Sequence, residues 1–406
     1  MALPPDEPGG KSMGLAAGRG WRAVLAVGLG AALVAAACSS DDGSEGSAGG
    51  GSSSDDSVLD GADAVAAAEA GVAPWLEGTF RPPPADGPAA VEGAEVYVVS
   101  CGQLLESCSV LADGVVDGAE AIGWDATLVD TELDFSAAGD AIRQAMAAGA
   151  DGAIVVAVDC QHFAGALDEA NAADFPVVVL NGFDCDVTSD GEEPARFAAQ
   201  VDFTPPGGDP VLGAHEFAAA KADWAIAQTD GDLQAINLVQ DDLLAMTLLG
   251  EGFQMAVDEC GSCEVVDTVT FSTSDLLDGT FPQKVAQAIV QHPEANAINF
   301  PYAAAITLGL AGVTDSGRDD LLVLGAEGAP SQYELLEQGS IDMVMAFPST
   351  WTGWAAVDTL NRILAGEETV DEGVGYQLVT AETMDGETDY EGPIDYRAAY
   401  EEIWAG

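Results

Sequence analysis

Residues 95–100 (EVYVVS) form a short, almost unbroken apolar run, the pattern of a strand covered on both faces. Over residues 110–122 the period changes: apolar positions recur every three to four residues, and Gly123 stands where a left-handed cap ends a helix. The alternation continues with a strand at 126–129, a helix at 136–148 stopped by Gly149, a strand at 153–158, a helix at 163–173 and a strand at 177–180. A strand at 200–204 and the break Pro205-Pro206-Gly207-Gly208 close this set. Then the scheme starts again. Helix 211–228 leads to strand 235–239, helix 245–259, strand 265–271, helix 281–291 and strand 297–300. Helix 304–314, strand 321–324, helix 332–338, strand 341–346, helix 353–364 and a last strand at 375–380 follow. Ahead of both sets lie a short helix at 58–73 and an extended segment at Arg81-Pro82-Pro83-Pro84. Short β-rich runs separated by helices imply parallel strands with crossover helices. Written twice, the pattern predicts two doubly wound α/β lobes whose strand carboxyl ends surround one cleft, the place where such sheets bind ligands.

The first 57 residues do not follow this alternation. An apolar run from Ala23 to Ala37 has Lys11, Arg19 and Arg22 upstream and ends at Ala35-Ala36-Ala37-Cys38. It is too short to span a bilayer and has the layout of a secretory signal peptide. Small residues directly before a lone cysteine resemble a bacterial lipobox, in which the thiol is diacylated and becomes the new N-terminus. An ordinary signal peptide with an incidental cysteine is the alternative. Residues 39–57, almost entirely Gly, Ser and Asp, bury too little apolar area to offset ordering entropy and read as a disordered tether.

The chain has 11 basic against 69 acidic residues, a net charge of −58. That excess excludes phosphate-backbone recognition, which needs clustered Lys and Arg, and flat adsorption to an anionic membrane. The acids are spread along the chain, as a solvated, self-repelling surface would have them; adaptation to a saline habitat is a second reading. Besides Cys38 there are six cysteines, an even number in a chain read as exported. Close spacing favours Cys101–Cys108 and Cys260–Cys263 as disulfides, leaving Cys160–Cys185, each of which follows a strand-like run. A zinc site is the competing reading, with only one C-x-x-C pair and no histidine pair to support it.

A series of short motifs resembles one family. They are Ala119-Glu120-Ala121-Ile122-Gly123-Trp124, Ile142-Arg143-Gln144-Ala145, Gly149-Ala150-Asp151-Gly152-Ala153-Ile154, Val158-Asp159 and Ala170-Asn171 before Phe175-Pro176-Val177-Val178. Gly250-Glu251-Gly252-Phe253, His292-Pro293, Gly325-Ala326-Glu327-Gly328, Gly339-Ser340 and Gly353-Trp354-Ala355-Ala356-Val357-Asp358 with Leu364-Ala365-Gly366 continue it. In order and spacing these resemble the type I periplasmic substrate-binding proteins of sugar ABC importers, in their ribose-binding-like branch. The resemblance implies two lobes joined by a three-crossing hinge, closing on a small ligand that is handed to a membrane permease with no chemistry performed.

It also implies site residues, taken one at a time. Asp159 falls where the family uses an acid after the third strand to accept sugar hydroxyls; a loop acid in a very acidic protein is the plainer reading. Glu327 falls where the family has Asp in a Gly-x-Asp-Gly turn. Phe347 replaces a glutamine, Leu249 an arginine, and Phe300-Pro301-Tyr302-Ala303-Ala304 the family's Asn-Asp. With these departures, the expected ligand contacts are Gln103, Asp159, Asn181, Gln240, Tyr302, Glu327, Phe347 and Trp351. Tyr302 and Trp351 would stack on a flat polar ring, as aromatic faces do; Phe183 and Phe271 lie at neighbouring strand ends.

Catalytic patterns fail. His215-Glu216-Phe217-Ala218-Ala219 has Ala219 where a zinc protease helix needs its second histidine, Gly250-x-Gly252 lacks a third glycine, and no Gly-Lys-Ser/Thr loop occurs. Asp184-Cys185-Asp186 with Asp190-Gly191 has its glycine misplaced for a calcium loop. The expectation is therefore a monomeric binding protein, not an enzyme, with no cofactor or metal and no nucleic-acid partner. It would be exported and lipid-anchored at Cys38 to the outer face of the cytoplasmic membrane, serving ABC permease and ATPase subunits. A ligand-sensing receptor of the same fold is the alternative. Its expected divisions are 1–37 signal peptide, 38–57 tether and 58–93 lead-in. The first lobe is expected at 94–201 with 349–378, and the second at 202–348 with 379–406.

Overall fold

Val177–Leu180, four consecutive aliphatic residues, is buried along its whole length, and that is possible only for an inner strand roofed on both faces by helices. Around it forms the first of two sheets. In this computed structural model, which describes residues 58–201, 208–384 and 390–406, a single unit spans Asp56–Gly406. The signal-peptide, Cys38 and tether readings lie outside the described residues.

Helix α1 (Ala62–Glu77) comes first, then β1 (Glu95–Ser100), α2 (Glu106–Ile122), β2 (Asp125–Asp130), α3 (Ala137–Ala148) and β3 (Gly152–Val156). α4 (Ala164–Ala172), β4 (Val177–Leu180), the short α5 (Cys185–Thr188) and β5 (Ala199–Val201) complete a parallel sheet of order β2-β1-β3-β4-β5. Next, α6 (Pro210–Gln228) begins where Asp209 accepts the amides of Val211 and Leu212 and Pro210 takes the first helical position. β6 (Gln234–Gln240), α7 (Leu244–Asp258), β7 (Glu264–Phe271), α8 (Thr273–Leu277), α9 (Phe281–Gln291) and β8 (Ala297–Asn299) follow. Then come α10 (Ala303–Ser316), β9 (Leu322–Glu327), α11 (Pro330–Glu337), β10 (Met343–Ala346), α12 (Ser349–Ala365), β11 (Gln377–Thr380) and α13 (Tyr396–Trp404). The second sheet runs β11-β10-β9-β8-β6-β7, parallel except for β11. These are the two α/β lobes that the alternation implies.

α12 belongs to the first lobe: it packs along β3, β4, β5 and α2. Its contact with α2 is backbone to backbone, because a Cβ on Gly353 would sit 2.2 Å from the carbonyl carbon of Gly114. α13 follows it there. Trp404 stacks on Trp354 at 5.3 Å and donates its indole N–H to Asp358 at 2.7 Å. Residues 379–406, expected with the second lobe, therefore divide: β11 pairs with β10, but α13 covers the apolar faces of α12 and α2. α1 also departs from its expected place as a detached lead-in. It packs on α6 and β11, and Leu59 bridges to Cys260, all in the second lobe.

The chain thus passes between lobes at β5–α6, β10–α12 and α12–β11, and twice more, at α1–β1 and β11–α13. The Pro-rich segment runs beside the hinge as an extra strap: the Thr79 amide donates to the Tyr376 carbonyl at 2.9 Å and the Arg81 amide to the Gly373 carbonyl at 3.0 Å. Arg81 forks onto Asp371 at 2.6 and 2.9 Å. All three disulfides, Cys101–Cys108, Cys160–Cys185 and Cys260–Cys263, are formed. No helix among the described residues is long and apolar enough to cross a membrane.

Candidate ligand-binding cleft

The carboxyl ends of β1 and β3 in one sheet face those of β6, β8 and β9 in the other, and a cavity lies between them. Its volume is about 490 Å³, the open mouth included. Leu105, Ser107, Leu133, Phe135, Ala157 and the Cys101–Cys108 disulfide line it from the first lobe. Gln240, Leu243, Met246, Thr273, Leu276, Tyr302 and Glu327 line it from the second.

Glu327 is the hub. It closes β9 in a left-handed conformation (φ 86°), followed by Gly328 at φ 75°. A glutamate held there is strained, and the turn aims its carboxylate back across the cleft. Oε2 accepts the Ala303 amide at 2.9 Å, at the first turn of α10, and the Ser107 hydroxyl of the opposite lobe at 2.5 Å. A carboxylate at a helix N-terminus is favoured by the unpaired amides and the helix dipole. Beside it the same device repeats. Glu106, in the first turn of α2, accepts the Ser331 amide at 3.2 Å and also takes the Ser331 hydroxyl, at the start of α11. Two first-lobe residues in one helical turn thus close on two second-lobe helix starts.

Burial pushes the Glu327 carboxyl up to about 7, against the pull of Ser107 and Ala303. Lys221 on α6, only 2% exposed, donates to the Phe300 carbonyl at 2.7 Å. Burial lowers it to about 7, opposed by the charge of Glu327. Each group's charge partly offsets the effect of burial on the other, though Lys221 hydrogen-bonds to the Phe300 carbonyl and not to Glu327.

In the same wall, Tyr302 donates its hydroxyl to Gln240 Oε1, and Gln240 Nε2 donates to Asp242 Oδ1 at 2.7 Å and Thr273 Oγ1 at 3.0 Å. Gln240, Tyr302 and Glu327, all expected at the site, are therefore in the cavity wall together. Asp159 is not in that wall. It is 4% exposed, accepts the Phe183 amide at 2.9 Å and has the Leu244 amide of the other lobe before it, while Oδ2 has no partner. Burial raises its pKa, opposed by those amides and by His162.

The other expected contacts go elsewhere. Gln103 turns back to donate to Ser100 Oγ at 2.9 Å, and Asn181 sits in a left-handed turn after β4 with its amide given to Val201. Trp351 is a correction: fully buried, it stacks on Tyr396 at 5.3 Å and 2° and donates to the Tyr400 hydroxyl. α13 is the covering element that makes it a core residue. Phe347 is likewise buried, edge-on to Tyr376 at 5.9 Å. Phe183 and Phe271 are buried as well. Ser107 was missed by sequence reasoning because α2 begins four residues earlier than its apolar period, and only Glu106 in the first turn signals that start; Leu133 lies in the left-handed turn after β2, where no periodicity marks it.

Asp184, of the acidic loop, spends its carboxylate on the amides of Cys185, Arg196 and Phe197. It lies beside Cys160 and Cys185, whose sulfurs are bonded to each other and so are not free to ligate a metal.

Against known families, the model described as "Periplasmic binding protein domain" matches residues 108–368. The chain belongs to that family. The fold is its type I form, and the ribose import binding protein of Escherichia coli (strain K12) is 23% identical over 262 residues, covering 64% of this chain and 80% of that one. Among solved structures, a solute binding protein from Actinobacillus succinogenes 130z with bound D-allose superposes with a TM-score of 0.61 at 14% identity, over 71% of this chain and 98% of that one. Another from Bacillus halodurans C-125, with bound myo-inositol, gives 0.59 at 18% identity over 76% and 99%. A galactofuranose binding protein gives 0.60 at 14% over 71% and 95%. Each of these relatives is described as a binding protein.

Proposed function

We propose that this chain is the solute-binding component of an ABC importer, capturing a small carbohydrate by lobe closure and presenting it to a membrane permease. The observation that carries this is the cross-cleft pair Ser107–Glu327 in the wall of a cavity lined from both lobes. A ligand that adds contacts to both walls stabilises the closed arrangement by its differential affinity for it, so occupancy and closure are linked. Relatives with bound D-allose and myo-inositol, and one named for ribose import, support a polyol or sugar as the cargo. Binding needs no reaction, and the cleft pairs its Glu327 carboxylate with the Ala303 amide and the Ser107 hydroxyl.

The lipobox-like Ala35-Ala36-Ala37-Cys38 and the tether after it support anchoring to the outer face of the cytoplasmic membrane, with the lobes free to meet a permease. Thermal-shift measurements against sugars, polyols, nucleosides and amino acids test the reading. A ligand at 100 times its dissociation constant adds about 2.7 kcal/mol of stability. A sugar or polyol shift that disappears in Glu327→Ala is the expected result; shifts confined to nucleosides or amino acids would keep the fold and overturn the cargo.

A further inference from the structure

The walls of the cleft are poor in free hydrogen-bonding groups. Leu105, Leu133 and Phe135 face it from the first lobe, and Leu243, Met246 and Leu276 from the second. Most of the polar groups that do reach it are already engaged with one another. Tyr302 donates to Gln240, Gln240 donates to Asp242 and Thr273, and Ser107 donates to Glu327 Oε2. Glu327 Oε1, with no such bond among the described residues, is the acceptor left for a ligand hydroxyl. Among the described residues no Lys, Arg or His lines the cavity, and the Lys221 ammonium is turned away onto the Phe300 carbonyl.

From this lining we propose that the preferred cargo is a deoxygenated or methyl-bearing neutral carbohydrate rather than a fully hydroxylated or anionic one. The inference rests on the carbohydrate reading above and names its class. A hydroxyl pressed against these leucines, Met246 or Phe135 loses its water and gains no partner, whereas a methyl or methylene at the same place is matched. Each such hydroxyl weakens binding by a factor of about ten to a hundred. An acidic sugar fares worse, with no cation to meet it and Glu327 close by. One end of the sugar keeps its hydroxyls for Glu327; its other edge is apolar.

Calorimetric titration of the full chain with matched pairs tests this: L-fucose against L-galactose, L-rhamnose against L-mannose, and 6-deoxy-D-glucose against D-glucose. The expected result is that at least one deoxy member binds about tenfold or more tighter than its hydroxylated partner, and that glucuronate does not bind. Hydroxylated members binding as well as or better than all their deoxy partners would overturn the proposal while leaving the carbohydrate reading standing. Failure of every sugar would overturn both. Met246→Gln and Leu133→Asn, at partly exposed positions, each put an amide into the apolar wall. In variants that melt like the parent, the deoxy preference should shrink at least threefold in one or the other, about half of a tenfold step in free energy. A preference unchanged in both would show that the lining does not set it.

Discussion

Glu327 and Lys221 give the stability of this protein an unusual pH profile. Glu327 ordinarily ionises at 4.5 but is raised to about 7 in the folded chain. Between those values the unfolded chain has released the proton and the folded one holds it, so stability falls as pH rises from 4.5 to 7. Lys221, lowered from 10.5 to about 7, acts in the opposite direction: from pH 7 to 10.5 only the unfolded chain holds the proton, and stability rises. The pair therefore contributes a minimum near neutrality to chemical-denaturation curves. Lys221→Met should abolish the alkaline rise; an unchanged rise in that variant would refute the assignment. Ser107→Ala removes the hydroxyl that crosses the cleft. Because the bond goes to a carboxylate, the closed state should lose about 1.5–3 kcal/mol, read as weaker ligand affinity with little change in the melting temperature of the free protein.

Among the elements, the first turn of α2 has the largest consequence, since Glu106, Ser107 and Cys108 place both cross-lobe contacts and one end of a disulfide there. Closing so short a loop stabilises by about 2–3 kcal/mol in the chain-entropy account. Cys101→Ser with Cys108→Ser should lower stability by that order and weaken ligand binding besides, because Ser107 loses its anchor. Calorimetry with parallel denaturation separates the two effects. The alternation of apolar runs made both sheets and most helices legible in the sequence, since buried parallel strands such as Val177–Leu180 leave a contiguous signature. α13 was overlooked. Its Tyr396, Tyr400, Ile403 and Trp404 recur at i, i+4, i+7 and i+8, the spacing of one buried helix face, but over only nine residues among acidic and basic neighbours, too short a run to stand out. The same omission misplaced Trp351: without α13 over it, an aromatic after a strand end reads as a ligand platform. Of the cleft, the groups on strand ends could be found, as Gln240, Tyr302 and Glu327 were. The apolar wall could not, because a leucine facing a cavity and one facing a core look alike in sequence.

For the whole molecule, charge and connectivity set behaviour. A net charge of −58 repels itself in the folded state, and salt relieves that repulsion. Adding NaCl from 0.05 to 0.5 M should raise the melting temperature by about 2–4 °C, corresponding to about 1 kcal/mol; a fall would mean that the acids are paired to better effect than their spread suggests. The hinge strap Arg81–Asp371 is half exposed, and Arg81→Ala should cost only about 0–1 kcal/mol.

The five passes between lobes also decide when each lobe can exist. The first lobe begins at β1 but waits for α12 and, at residues 396–404, for α13. The second starts with α1, before β1, and is finished by β11 at residues 377–380. In chain order, then, the second lobe is completed only at residues 377–380 and the first only at residues 396–404. Long-range pairing of this kind predicts that the two lobes fold together late, as one cooperative transition rather than one lobe after the other.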